Sequence, residues 1–133
     1  MSRKSRGISA ERDLIHKFWS KAWACMRAAG SGSGQFPSPD IIAGNNLRQL
    51  VLEVKITTEK RKYFSEEEIR NLRYFSEKFG AEPWVGVKFY RKPWVFLSIE
   101  DLEETGKNYV VSPEIADLKG LSFEELTDDG SNV

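Results

Sequence analysis

The chain of 133 residues is 40% hydrophobic and 30% charged, the makeup of one globular domain over residues 1–133 with its own apolar core. No apolar run approaches bilayer length and the N-terminal MSRKSRG lacks a secretory apolar stretch, so a soluble cytoplasmic protein without a membrane partner is expected. Cys25 is the only cysteine, which excludes an internal disulfide framework and a cysteine-rich zinc site and suits a small core residue. The net charge of zero conceals a segregation: residues 1 to 62 hold 12 Lys or Arg against 5 Asp or Glu, and the remainder holds 8 against 15. A basic surface for a polyanion beside an acidic remainder is one reading, and salt-bridged solvated faces are the other.

In chain order, Leu14, Ile15, Phe18, Trp19, Ala22, Trp23 and Met26 recur at helical spacing, predicting an amphipathic helix from an N-cap at Ser9 to about Lys21–Trp23. A short strand over Cys25 to Ala29 leads into Gly30-Ser31-Gly32-Ser33-Gly34, a loop too glycine-rich to be ordered by itself. Strands over 39–43 and 49–57, joined by Gly44-Asn45-Asn46, read as a β-hairpin. Ser65-Glu66-Glu67-Glu68 is a capping box that opens a helix with the apolar stripe Ile69, Leu72, Phe75, Phe79 and a stop at Gly80. Strands Trp84 to Phe89 and Trp94 to Ile99 follow, and the acidic tail from Leu118 reads as a short peripheral helix with a frayed end. The expected fold is α/β, a mixed central sheet flanked by helices.

Within the hairpin, Asp40, Glu53 and Lys55 interrupt apolar runs. Charges set into such runs are paired, bound to metal or placed along a cleft, because an unpaired buried charge is expensive. Glu53 and Lys55, two apart in a strand, share a face, and the turn brings Asp40 beside Glu53. Two close carboxylates raise each other's pKa and are relieved by a divalent cation, and hard oxygen ligands suit magnesium or manganese. Beside such a metal, Lys55 can orient a water or neutralise charge on a phosphate oxygen, which is the chemistry of phosphodiester hydrolysis. The triplet alone is weak, since a chain of this size holds about one acid-x-Lys by chance. Asp117-Leu118-Lys119 is such a decoy, without the β-rich surroundings or the upstream aspartate. A surface ion pair between Glu53 and Lys55 is the ordinary alternative.

The remaining candidates are weaker. His16 lies on the polar side of its helix, the four tryptophans fall on apolar stripes, and the glycine loop has no Gly-Lys-Ser or Gly-Lys-Thr to make a P-loop. Arg3, Lys4, Arg6, Lys60, Arg61 and Lys62 are the candidate phosphate contacts of the basic half, although Lys60-Arg61-Lys62 would ordinarily be a solvated loop.

From Arg3 to about Ile99 the chain resembles the archaeal Holliday junction resolvases of the Hjc type, within the PD-(D/E)XK nuclease superfamily. Arg3-Lys4, Glu11-Arg12, Arg27-Ala28-Ala29-Gly30-Ser31, Asp40-Ile41-Ile42-Ala43-Gly44, Glu53-Val54-Lys55, Phe75-Ser76-Glu77-Lys78-Phe79-Gly80 and Val87-Lys88-Phe89 stand in the family's order. The resemblance implies a restriction-endonuclease-like fold and a magnesium-dependent endonuclease, with manganese able to substitute. Its partner would be four-way junction DNA in the nucleoid, with no small-molecule substrate, and it would work as a homodimer making paired nicks. It also implies Asp40, Glu53 and Glu11 as metal ligands, Lys55 as the catalytic lysine, and Arg12, Arg27 and Ser31 at the scissile phosphate. Phe75 and Phe79 would lie at the dimer interface. The loop from Ser33 to Pro39 that follows Ser31 is longer and richer in glycine than in compact members. Other nucleases of the superfamily, acting on flaps, ends or mismatches, and a non-catalytic DNA-binding module are the alternatives.

Overall fold

The computed structural model describes residues 3–28 and 36–128, with side chains from Gly7 onward. Helix α1 (Arg3–Ser20) is followed by strands β1 (Ala24–Arg27), β2 (Ile41–Gly44), β3 (Gln49–Thr57) and β4 (Lys62–Ser65), then by helix α2 (Glu66–Phe79) and strands β5 (Glu82–Phe89) and β6 (Trp94–Ser98). After a single 3-10 turn the chain forms β7 (Glu103–Thr105), β8 (Asn108–Val111), α3 (Pro113–Lys119) and α4 (Phe123–Leu126). The central sheet has the order β1-β2-β3-β5-β6, and β4-β8-β7 make a second, three-stranded sheet. β3 and β5 are parallel while the other neighbours in the central sheet are antiparallel. The expected mixed sheet with flanking helices is therefore the fold, and the hairpin of β2 and β3 forms with Ile41 opposite Leu52.

The period of two along β3 sorts its side chains between two apolar layers. Leu50, Leu52 and Val54 join Leu14 and Phe18 of α1, Phe96, and Phe123 and Leu126 of α4 on one face. Val51 faces the other way, with Phe64 of β4, Ile69 and Leu72 of α2, Val85 and Val87. Glu53 and Lys55 continue the Val51 row, so they emerge on the α2 side where the apolar layer gives out.

Helix α1 differs from the expectation at both ends. Ser9 lies within it and caps nothing, because Arg3, Lys4 and Arg6 extend the helix toward the N-terminus and arginine and lysine are good helix formers. It stops at Ser20: Ala22 takes φ 64, the Ala22 N–H donates to Trp19 O at 3.0 Å and the Trp23 N–H to Phe18 O at 2.9 Å. That is a Schellman closure, and Trp23 packs back on Phe18 with ring centroids 5.7 Å apart. In α2 the expected capping box and the Gly80 stop, at φ 80, are both present.

The tail from Leu118 is not peripheral throughout. α4 buries Phe123 and Leu126 in the main core, with Phe123 edge-on to Phe18 at 4.9 Å. Arg48 fastens the same corner: its Nη1 donates to Leu126 O at 2.7 Å, and its Nε and Nη2 each donate to Glu82 at 2.8 Å. An acidic amphipathic turn looks solvated in sequence because the apolar surface receiving it is built from distant segments. For the same reason the sequence marks no strand over β4, which Phe64, fully buried, and the pairing with β8 make one.

Candidate active site

Asp40 ends the loop before β2 and is locked into the hairpin by its own backbone: its N–H donates to Leu52 O at 3.0 Å, and its C=O accepts from the Ala28 N–H at 2.9 Å. Its side chain continues the ladder, with Oδ2 accepting the Val54 N–H at 2.9 Å. The paired register ends at Ile41–Leu52, and beyond it a side-chain hydrogen bond joins Asp40 to Glu53. The expected convergence of the two carboxylates is thus a property of the structure.

Glu53 carries the strongest perturbation of the group. Burial pushes its carboxyl up, the charge of Asp40 and a side-chain hydrogen bond with Asp40 push further, Glu68 adds to them and Lys55 pulls back, leaving it at about 9. At neutral pH the Glu53 carboxyl therefore keeps its proton beside Asp40. Glu11, on α1, is also raised, by burial and by the charge of Asp40, against the pull of Arg27. Arg27 Nε lies 3.4 Å from Glu11 Oε2. Among the described residues no three Asp, Glu, His or Cys gather closely enough to hold a metal, so Glu11 stands beside the pair without completing a cluster of three.

The pair nevertheless fits a hard divalent cation. A carboxyl that keeps its proton beside a second acid can ionise once a cation replaces that proton, and magnesium is commonly held by one or two carboxylates, with water and phosphate completing its shell.

Lys55 leaves the sheet on the same face. Its Nζ lies 2.9 Å from Glu68 Oε2 and 5.4 Å from the centroid of the Phe64 ring. Sequence reasoning identified Glu68 only as the helix cap and did not place it at the site. The capping box was the available signal, since a carboxylate has two oxygens and the cap uses one.

The phosphate-contact candidates are spread around this centre. Arg12 is exposed on α1, Arg27 is exposed at the end of β1, Lys60 and Arg61 are exposed, and Lys62 opens β4 half-buried. Lys62 and Lys88 line a cleft of about 400 Å3 together with Gly7, Ala10, Ile56 and Thr57, at the end of β3 just beyond Lys55. Arg3, Lys4 and Arg6 lie on the first turns of α1. Ser31 and the glycine loop lie outside the described residues. Phe75 and Phe79 lie with ring centroids 5.4 Å apart, tilted by 31°, at the far end of α2, with Phe79 52% exposed.

A coupled acid pair and a lysine displayed from the middle of a mixed α/β sheet, beside a cleft with a basic lining, define the class of a hydrolytic nuclease. Comparison with known proteins narrows it. The family model described as archaeal Holliday junction resolvase (Hjc) matches residues 2–133, and the chain belongs to that family. The crossover junction endodeoxyribonuclease Hjc of Archaeoglobus fulgidus is 41% identical over 129 residues, covering 92% of this chain and 95% of the relative. Its counterpart in Sulfurisphaera tokodaii is 35% identical, over 94% of this chain and 88% of the relative. A solved structure of Archaeoglobus fulgidus Hjc superimposes with a TM-score of 0.85 at 39% identity, covering 90% of this chain and 98% of that one.

Proposed function

We propose that this single-domain chain is an endonuclease that recognises four-way DNA junctions and hydrolyses a phosphodiester in each of two strands. The observation that carries the reading is the hydrogen-bonded Asp40–Glu53 pair beside Lys55, in a member of the junction resolvase family. Asp40 and Glu53 would hold a magnesium ion, which manganese can replace, and Glu11 would add charge from α1. When bound, the cation supplies Lewis-acid polarisation of the scissile phosphate and lowers the pKa of an attacking water. Asp40 is held rigid by the Val54 N–H, so the position of the acid pair is set by the hairpin before substrate arrives. Lys55 offers a cation to the charge that develops on the phosphate oxygens. Arg12, Arg27, Lys60, Arg61, Lys62 and the first turns of α1 with Arg3, Lys4 and Arg6 supply the phosphate contacts of the junction arms, and Ser31, outside the described residues, is assigned a role at the scissile phosphate by the family resemblance alone. DNA running beside β3 meets the cleft between α1 and the basic residues Lys62 and Lys88.

The cutting unit is proposed to be a two-fold dimer through Phe75 and Phe79, because symmetric incision needs two sites at a fixed separation and a C2 pair supplies them from one chain. The working place is the intracellular nucleoid. No helix among the described residues is long and apolar enough to cross a membrane.

The test is cleavage of a synthetic four-way junction, a flap and a linear duplex, with and without magnesium. Paired nicks in the junction alone, dependent on the cation, are expected. Asp40→Asn and Glu53→Gln are expected to cut at least about 100-fold more slowly while binding the junction as tightly as wild type or more tightly, since each removes negative charge near DNA. Near wild-type cleavage by either variant refutes the site, and preference for the flap refutes the substrate.

A further inference from the structure

We infer that Glu68 is a positioning residue for Lys55, using the free oxygen of a helix cap to hold the lysine that faces the phosphate. The inference rests on the reading of Lys55 given above and extends it to a residue in a different element. Glu68 is the third residue of α2. Its Oε1 accepts the Ser65 backbone N–H at 2.9 Å, which fixes the carboxylate before Lys55 is considered, while its own backbone N–H donates to Ser65 Oγ at 3.0 Å and closes the cap. The remaining oxygen, Oε2, lies 2.9 Å from Lys55 Nζ.

An exposed pair between two mobile side chains would contribute little. Here the acid is already fixed and half-buried, and Lys55 runs past Phe64, whose ring centroid lies 5.4 Å from Nζ. An aromatic face below and a fixed carboxylate to one side leave the flexible stem few other places to go. An ammonium has three donors and Glu68 occupies one, so Nζ keeps two for a phosphate. Glu68 itself is held below its ordinary pKa: burial works against this, but the Ser65 N–H and Lys55 outweigh it. The same helix carries this anchor in its first turn and the Phe75–Phe79 pair in its last two.

The distinguishing variant is Glu68→Gln, because a glutamine oxygen can still accept the Ser65 N–H and close the capping box, while the ion pair with Lys55 is lost. Single-turnover cleavage of a magnesium-loaded four-way junction by the full chain is expected to slow about 10- to 100-fold, with the junction Kd within twofold and the melting temperature unchanged. Ser65→Ala is expected to do the opposite: it lowers the melting temperature through loss of the cap and leaves the single-turnover rate of the folded protein unchanged. Lys55→Gln is expected to be as slow as Glu68→Gln or slower, and the double variant no slower than Lys55→Gln alone. Glu68→Gln cutting at the wild-type rate while Lys55→Gln is inactive overturns the role of Glu68 and leaves that of Lys55 standing. A double variant markedly slower than Lys55→Gln also overturns it, since Glu68 would then act through another group. Lys55→Gln at the wild-type rate overturns the reading of Lys55 and this inference with it.

Discussion

Gly86 sits on β5 opposite Val54, the residue between Glu53 and Lys55, and Gly86→Ala tests whether packing behind the sheet governs the geometry in front of it. A Cβ on Gly86 would lie 2.9 Å from Phe96 Cε1, 3.1 Å from Phe96 Cδ1 and 3.2 Å from Val54 Cγ1, whereas carbon atoms settle at about 3.5–4.0 Å. The Phe96 ring is fully buried, stacked on Trp94 at 6.0 Å and tilted against Phe123 at 6.4 Å, so it has little room to withdraw. Overpacking of this kind costs about 1–3 kcal/mol. Gly86 is not among the positive-φ residues, so alanine recovers about 0.4–1 kcal/mol by restricting the unfolded chain. The net expectation is a destabilisation of about 1–2 kcal/mol, a fall in melting temperature of roughly 4–8 °C for a domain of this size. Val54 shifts by a few tenths of an ångström and carries its neighbours on β3 with it, so single-turnover junction cleavage should slow several-fold, measured below the transition where the protein is fully folded. Calorimetry and the cleavage assay on one preparation decide the matter. A melting temperature equal to or above wild type with an unchanged rate would show that the pocket around Gly86 accommodates a methyl group and that the sheet does not transmit the strain.

Phe123→Ala should destabilise the protein by about 3–5 kcal/mol, because the ring is 5% exposed and packs on Phe18 and Phe96; a denaturant midpoint equal to wild type would return α4 to the periphery. Phe75→Ala with Phe79→Ala should give a folded monomer by light scattering that no longer nicks in symmetric pairs, whereas a melting temperature lowered in an unaltered dimer would place both rings in the protomer core instead. Glu82 is held below its ordinary pKa, first by the hydrogen bonds from Arg48 and then by that from Trp84, with burial opposing them. A carboxyl whose folded pKa is depressed stabilises the fold above its unfolded pKa and loses that contribution as pH falls through the folded value. The stability gap between wild type and Glu82→Gln should therefore be open at pH 7 and close below about pH 4, and a gap independent of pH would assign Glu82 a packing role alone.

Local signals in the sequence carried the hairpin, the α2 cap and stop, and the sharing of a strand face by Glu53 and Lys55, because each depends on residues within a few positions of one another. Asp40 was legible at the next level, since a hairpin turn determines what lies opposite what. The sequence pattern missed the start of α1: Ser9 offers a good cap, but the preceding Arg3, Lys4 and Arg6 favour helix at least as strongly, and no cap competes once the backbone bonds continue through them. Tertiary structure alone decided the rest. The strand character of Lys62–Ser65 exists only through β8, some 45 residues later, and the burial of α4 depends on the surface that α1 and β6 present to it. The second oxygen of Glu68 is the clearest case. Its spacing from Ser65 identifies the cap, but its contact with Lys55 requires α2 to be laid across the sheet by Ile69 and Leu72. An ion pair between separate elements has no sequence period, because its geometry is set by the packing of apolar residues that take no part in it.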